Sequence, residues 1–254
     1  MIVVVTGGGT IAPIDEVRSI ANLSSGRFSA GITEAWLRRG ADVYHIHAPR
    51  AELPFHRAAR FDLDLPERQA LTEHARLEQL RRDYAAIRDR LHLVPLETGT
   101  VADYAATLER ILRSVEVSVA MLAMAVSDYQ SEPVSGKIDS ESGSLIVRCR
   151  RTPKVIRSVR DWAPGVFLVG FKLTVGSSRE DLIHQAEEAC RTNRANLTVA
   201  NDLGPLREGR HTVHLVRPGQ PAETLGPSAT LADEVVERVA AIMAETRGTD
   251  PEAR

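Results

Sequence analysis

The chain has 254 residues, 43% of them hydrophobic and 26% charged, with a formal net charge of −2. That is enough for one large α/β domain, and the composition is that of a folded protein in water. The near-neutral balance leaves no electrostatic footprint for DNA or RNA, so no nucleic-acid partner is expected, although the run Arg148-Cys-Arg-Arg151 suits a small anion. Aromatics make up only 4%, so the core rests on Val, Leu, Ile and Ala. Cys149 and Cys190 form no CxxC pair, and no His spacing suggests zinc; no metal site is expected in the protein itself. Both cysteines read as unbridged structural residues of a reducing compartment. No leader pattern precedes the first strand, and the longest nearly apolar run, Val115–Val126, holds Glu116 and falls short of the roughly 20 residues of a membrane span. A cytoplasmic protein without a membrane partner is expected.

Ile2–Val5 is a β-branched strand ending in Gly7-Gly8-Gly9. Gly26–Arg39 reads as a helix, with Phe28, Ile32, Ala35 and Trp36 on one stripe and Gly40 as its stop. Asp42–His47 is a second strand, which completes a βαβ unit with parallel strands and a right-handed crossover. Ala48–Pro66, with Pro49, Pro54 and Pro66, is an ordered excursion. Glu67–Leu91 is a long charged helix, its stripe of Leu71, Ala75, Leu80, Tyr84, Ile87 and Leu91 expected to lie on the core. His92–Leu96 is a strand, Val101–Arg113 a helix and Val115–Val126 a central strand. The polar stretch Gln130–Ser144, around Lys137, is expected to be a mobile loop. Leu145–Arg151 alternates like a half-buried strand, and Thr152-Pro153 opens a short helix. Val166–Phe171 is a buried strand, and Ser177-Ser-Arg-Glu180 is a capping box for a helix to about Arg191. Asn196–Ala200 is a strand; His211–Arg217 and Pro221–Leu225 form an antiparallel edge. Leu231, Val235, Val239 and Ile242 mark a closing helix. The sum is an α/β fold, a doubly wound, mostly parallel sheet with an antiparallel C-terminal edge, as a single domain over residues 1–246 with a frayed tail at 247–254.

Ligands of such sheets sit outside the carboxyl ends of the strands. That rule gathers Thr6–Thr10, Ala125–Tyr129, Phe171–Leu173 and Asn201–Asp202 at one edge. The glycines are open to two readings: a cradle of backbone N–H groups for phosphate, or a plain strand-to-helix bend. Asp128 is either a turn residue or a carboxylate for a ligand or for Mg²⁺. Asn201 is a turn residue or an amide that reads a base or ribose. Phe171 alone reads as core, and Lys137 alone as a solvated lysine. His45 and His47 share a strand face with no Cys or Glu to complete a metal set, and read as structural. A nicotinamide oxidoreductase wants G-x-G-x-x-G and an acid after the second strand. Gly7-Gly-Gly-Thr-Ile-Ala12 lacks the third glycine and His47-Ala48-Pro49 lacks the acid, and both count against that alternative.

Five motifs appear in order: Val5-Thr-Gly-Gly-Gly-Thr10, Asn22-Leu-Ser-Ser-Gly26, Ala125-Val-Ser-Asp128, Gly136-Lys-Ile138 and Val199-Ala-Asn201. Together they resemble the phosphopantothenoylcysteine synthetases, the phosphopantothenate–cysteine ligases of coenzyme A synthesis. The stretch Ala120–Leu173, with Asp161-Trp-Ala-Pro164 and Gly-Phe-Lys-Leu173, looks closer to the eukaryotic type. The resemblance implies a Rossmann-like fold, a homodimer, Mg²⁺, and ATP or CTP as co-substrate. It implies two steps. The carboxylate of 4′-phosphopantothenate attacks the α-phosphate, releasing pyrophosphate; the amine of L-cysteine then attacks the acyl-nucleotidylate, releasing nucleoside monophosphate. Carried over motif by motif, Gly8, Ser24 and Gly26 would hold the triphosphate, with Phe171 and Asn201 at the base and ribose. Asn22 would orient the substrate carboxylate, and Ala125 and Asp128 would hold the pantothenate arm. Arg18 would reach across the dimer to the substrate phosphate, and Lys137 would serve the cysteine step. The chain departs from the family at its single loop lysine, at Met124 where a small residue is usual, and at Phe28-Ser29 where a further glycine is usual. A ligand-binding relative without catalysis is the remaining alternative.

Overall fold

Valine and isoleucine runs buried on both faces make the middle of an eight-stranded sheet. The structure is a computed structural model and describes residues 1–139, 141 and 143–248. Its elements are β1 (Ile2–Gly7), β2 (Ile11–Pro13), β3 (Ser19–Ala21), α1 (Arg27–Arg38), β4 (Asp42–His47), α2 (Glu67–Ile87), β5 (Leu91–Pro95) and α3 (Val101–Ser114). There follow β6 (Val119–Leu122), β7 (Tyr129–Ser131), β8 (Cys149–Arg151), α4 (Val155–Trp162), β9 (Phe167–Thr174), α5 (Arg179–Thr192) and β10 (Leu197–Asp202). The chain closes with α6 (Leu203–Arg207), β11 (Val213–Val216), β12 (Glu223–Leu225) and α7 (Leu231–Gly248).

The sheet order is β12-β11-β10-β9-β6-β1-β4-β5. The six strands from β10 to β5 are parallel, and β11 and β12 add the antiparallel edge. Side chains alternate across the strands, so Val3 and Val5 face α1 and α7, with Trp36 and Val235, while Val4 faces α3 and α4, with Tyr104 and Val159. Trp36 is fully buried and its Nε1 donates to Met121 Sδ at 3.1 Å, which joins helix to central strand. Two short ribbons, β2–β3 and β7–β8, stand off the sheet. No helix among the described residues is long and apolar enough to cross a membrane.

The α/β class, the doubly wound order and the antiparallel edge are as the sequence pattern predicts. Several local expectations are not. The central strand is only Val119–Leu122, because Met124 N turns to Thr6 Oγ1 (3.1 Å) and Ala125 pairs with Gly9 beyond the end of β1. Leu145 and Ile146 are exposed at 48% and 86%: the ribbon β7–β8 has no core beneath it, and only Cys149–Arg151 is strand. No residue of α2 is buried, and Leu71 of its stripe is 70% exposed. Only its last turn, Tyr84 and Ile87, touches the core; i,i+3 pairs such as Arg81–Glu78 (2.8 Å) line the rest. The helix α5 is capped by Ser178, not Ser177, its hydroxyl accepting from Asp181 N at 3.1 Å. Cys190 is buried and Cys149 exposed, so only the first is a core residue. The closing helix extends through Gly248; of the expected tail, 249–254 lie outside the described residues.

Candidate active site

The chain lays β4 and β5 on one side of β1, then returns to lay β6, β9 and β10 on the other. A crevice therefore opens at the carboxyl ends of β1 and β6. The segment from Met124 to Ser131 threads it and joins three groups of residues.

The first group forms around Gly9. Ala125 N donates to Gly8 O (2.9 Å), and Thr10 N donates to Ala125 O (3.0 Å). The β2–β3 ribbon then returns Asn22 to the same point. Asn22 N donates to Thr10 O (3.2 Å) and its Nδ2 to Ala125 O (3.2 Å). Ser24 N donates to Asn22 O (3.1 Å), and Gly26, left-handed at φ 76°, caps α1 with no side-chain acceptor. The structure thus brings Gly8, Asn22, Ser24, Gly26 and Ala125 together at the N-terminus of a helix, where anions are favoured. The glycines also meet a packing demand. A Cβ on Gly7 would lie 2.0 Å from Ser29 Oγ, one on Gly9 2.2 Å from Asn22 O, and one on Gly8 2.8 Å from the Ala48 methyl. Gly8 and Gly26 are themselves buried.

The second group lines a cavity of about 460 Å³ between β6, β9, α4 and α5. Alternate residues of the threading segment, Met124, Val126 and Asp128, face it, together with Phe171, Lys172 and Lys154. Asp128 is 57% exposed and accepts from Lys154 Nζ at 2.5 Å. Phe171 is half-buried and stands edge-on to Phe28 at 6.4 Å between ring centroids. Asn201, expected beside Phe171, lies on the next strand and outside the cavity lining. Its neighbour Asp202 ties that edge together. It accepts from Gly204 N (2.9 Å), Ser177 N (3.1 Å), Thr174 Oγ1 (2.8 Å) and Gly176 N (3.2 Å), which holds its carboxyl down at about 2.

The third group sits on the β2–β3 ribbon. Arg18 Nη1 donates to Asp15 Oδ2 (2.7 Å) and to Ile138 O (3.1 Å). Lys137 is exposed and makes no ion pair among the described residues, but its neighbours are tied down. Val134 N donates to Ile14 O (2.9 Å) and Gly136 N to Glu16 Oε1 (3.1 Å). The loop expected to be mobile is therefore anchored over 131–138; residues 140 and 142 fall outside the described residues.

Beneath Gly7, His45 Nδ1 lies 2.7 Å from Thr33 Oγ1, and its ring stacks on His47 at 6.0 Å. Burial, then the repulsion of His47, lowers the His45 ring to about 3, so it is neutral. Two residues at the cavity mouth carry signals the sequence did not isolate. Lys154 follows Thr152-Pro153, which reads only as a helix opening, and Lys172 sits in a strand run where Phe171 draws attention. Asp15 looks like an ordinary turn acid until its partners are seen.

A doubly wound parallel sheet, a glycine-rich first turn and a crevice at the β1–β6 reversal define a Rossmann-like α/β protein. The chain belongs to the DNA/pantothenate metabolism flavoprotein C-terminal domain family, which it matches over residues 1–74 and 88–243. It is 31% identical over 223 residues to phosphopantothenate–cysteine ligase 1 of Oryza sativa subsp. japonica, covering 80% of this chain and 69% of that one. It is 30% identical over 228 residues to the phosphopantothenate–cysteine ligase of Homo sapiens, covering 80% and 72%. The coenzyme A biosynthesis bifunctional protein CoaBC of Thermococcus kodakarensis is 31% identical over 217 residues, but these span only 44% of its length. A Cab2 mutant solved in complex with phosphopantothenate-cysteine shares the fold at a TM-score of 0.79 and 24% identity, with 96% of this chain and 86% of that one covered. The flavoprotein from Streptococcus pneumoniae does so at 0.73 and 24%, with 96% and 98% covered. The nicotinamide alternative is not favoured. The third fingerprint glycine is replaced by Ala12, and no acid follows β4, where the chain reads His47-Ala48-Pro49.

Proposed function

We propose that the protein is a phosphopantothenate–cysteine ligase that works through an acyl-nucleotidylate, with ATP or CTP as co-substrate. The observation that carries this is the convergence of Asn22 and Ala125 at the β1–β6 crevice, beside the open N-terminus of α1. Two anionic reactants must meet there, and backbone N–H groups at a helix start offset their charge. The Asn22 amide, fixed by the Ala125 carbonyl, orients the substrate carboxylate toward the α-phosphate. Asp128, exposed at the crevice and paired with Lys154, would hold the pantothenate arm together with Ala125. Mg²⁺ would arrive on the nucleotide phosphates and neutralise their charge. Phe171 and the cavity around it are suited to a flat base, and Asn201 would act from the neighbouring strand. Lys137 serves the attack of cysteine on the intermediate.

A homodimer fits the surface. Val17, Ile20, Leu23 and Tyr129 are exposed at 66%, 42%, 97% and 55%, on or beside the two ribbons. Covering such residues favours association of two copies. Arg18, on the same ribbon, would then reach the substrate phosphate across the interface. The unbridged cysteines suit a reducing, cytoplasmic setting.

The test is an incubation with phosphopantothenate, L-cysteine, Mg²⁺ and either ATP or CTP, read as nucleoside monophosphate and amide product. No product with either nucleotide, despite substrate binding, would return the reading to a non-catalytic relative. Asn22→Ala is expected to slow pyrophosphate release by about 10²–10³-fold, as loss of a charge-stabilising donor does. Lys137→Gln is expected to release pyrophosphate normally and to stall before the amide.

A further inference from the structure

We propose that Asp15 is a positioning residue for the ligase reaction: one buried carboxylate that sets the place of Lys137 and the aim of Arg18 together. The proposal rests on the role given to Lys137 above. The Asp15 side chain has no exposed surface, although it lies in the turn of a ribbon that stands off the sheet. Its Oδ1 accepts from Val17 N (2.9 Å) and Arg18 N (2.7 Å), which closes the turn. Its Oδ2 does something a turn does not need. It accepts from Arg18 Nη1 (2.7 Å) and from Ile138 N (3.1 Å), a residue 123 positions along the chain.

Arg18 Nη1 also donates to Ile138 O at 3.1 Å, so the backbone of Ile138 is gripped at both its N–H and its C=O. On the other side of Lys137, Gly136 is held in the same way. Its N donates to Glu16 Oε1 (3.1 Å) and its O accepts from Glu16 N (3.2 Å). Lys137 is thus suspended between two clamped residues with its own side chain exposed. Burial raises the Asp15 carboxyl, but the N–H groups of Val17, Ile138 and Arg18, and the Arg18 charge, outweigh it and keep the group ionised. The grip uses only Nη1 of the guanidinium. Among the described residues Nε and Nη2 have no partner, and they remain for a phosphate. A lysine that must meet a short-lived intermediate gains from such placement, since a misplacement of about 1 Å can cost a hundredfold.

Asp15→Asn keeps the shape and an Oδ1 acceptor but removes the charge and the Oδ2 acceptor. Through Arg18 it is expected to raise the KM for phosphopantothenate, while at saturating phosphopantothenate cysteine-independent pyrophosphate release stays within about twofold and the cysteine step slows at least tenfold. The double variant with Lys137→Gln should be no slower than Lys137→Gln alone, because both act through one group. A second readout is independent of catalysis. Trypsin cuts after lysine, and the Lys137–Ile138 bond is the one whose N–H Asp15 holds. Cleavage there should rise at least tenfold in Asp15→Asn, with other sites unchanged. Ile138→Pro, which deletes that N–H without touching the turn, should reproduce the cysteine-step defect if Asp15→Asn fails to fold. Equal slowing of both steps, additive losses in the double variant, or unchanged cleavage would overturn the proposal. If Lys137→Gln is silent in both steps, the role of Lys137 falls and takes the proposal with it. If Lys137→Gln stalls the cysteine step while a folded Asp15→Asn does not, only the proposal falls.

Discussion

Gly9→Ala is expected to lower amide formation at least a hundredfold, although one methyl is all it adds. The added Cβ would lie 2.2 Å from the carbonyl oxygen of Asn22, 3.1 Å from its carbonyl carbon and 3.4 Å from its Cβ. None of these is the far end of a flexible side chain, so the backbone must part. Gly9 pairs with Ala125, and Asn22 bonds both Thr10 O and Ala125 O, so parting them moves the proposed catalytic amide away from the crevice. Overpacking of this kind costs about 1–3 kcal/mol in stability, and a shift of about 1 Å at reacting groups costs about 10²-fold in rate. Gly165→Ala is the control: nothing lies within 4 Å of its added Cβ. Both variants are compared by amide formation and by denaturant midpoint. Near-native turnover in Gly9→Ala would mean that Asn22 does not act from this position.

Acid should destabilise the protein well above the carboxylate range, with His45 carrying a measurable share. In the fold its ring is lowered from 6.5 to about 3, first by burial and then by His47. The unfolded chain takes up this proton near 6.5, so between those values the unfolded state binds more protons than the native one. The contribution of His45 is therefore complete above about pH 6.5 and is lost as pH falls toward 3. In that window it amounts to about 1.4 kcal/mol per pH unit. Burial lowers His47, His211 and His214 as well, so the total slope is shared. His45→Asn keeps a side-chain partner for Thr33 Oγ1 and cannot titrate. Its denaturant midpoint should fall less steeply than the native one between about pH 6 and pH 4. Coincident slopes would show that His45 already takes its proton in the native state.

Much of this architecture could be read from the chain because period and packing agree. The Asp42–His47 strand has the predicted limits, and Val101 opens a helix as predicted, where the Thr100 hydroxyl can cap it. Parallel strands buried on both faces write themselves as Val and Ile runs. The failures occur where structure depends on distant partners. Ile11–Pro13 and Ser19–Ala21 are three residues each, too short for any period, and exist because each pairs with the other. The helix pattern of α2 is real, but amphipathicity alone does not say whether a core lies beneath it. At the site, the strand-end rule placed Ala125 and Asp128 at the crevice, whereas Asn22 reaches it on a ribbon that the sequence did not show. The motifs did not show that Asp128 would meet Lys154, or that Asn201 would stand outside the cavity that takes Phe171. Those facts depend on which way each side chain leaves its strand.

The loop after β4 carries a restriction that its own sequence does not announce. The Ala51 methyl lies 2.9 Å from where a Cβ of Gly8 would be and 3.0 Å from where one of Gly26 would be. One small side chain therefore fills the space left by two glycines that are 18 positions apart in the sequence and both left-handed. Over evolutionary time positions 8, 26 and 51 are not free to drift separately. A larger residue at 51 has no room while the two turns keep their course, and no residue with a side chain fits at 8 or 26 while 51 keeps its methyl. The half-buried loop position 51 should thus vary as little as the glycines it covers.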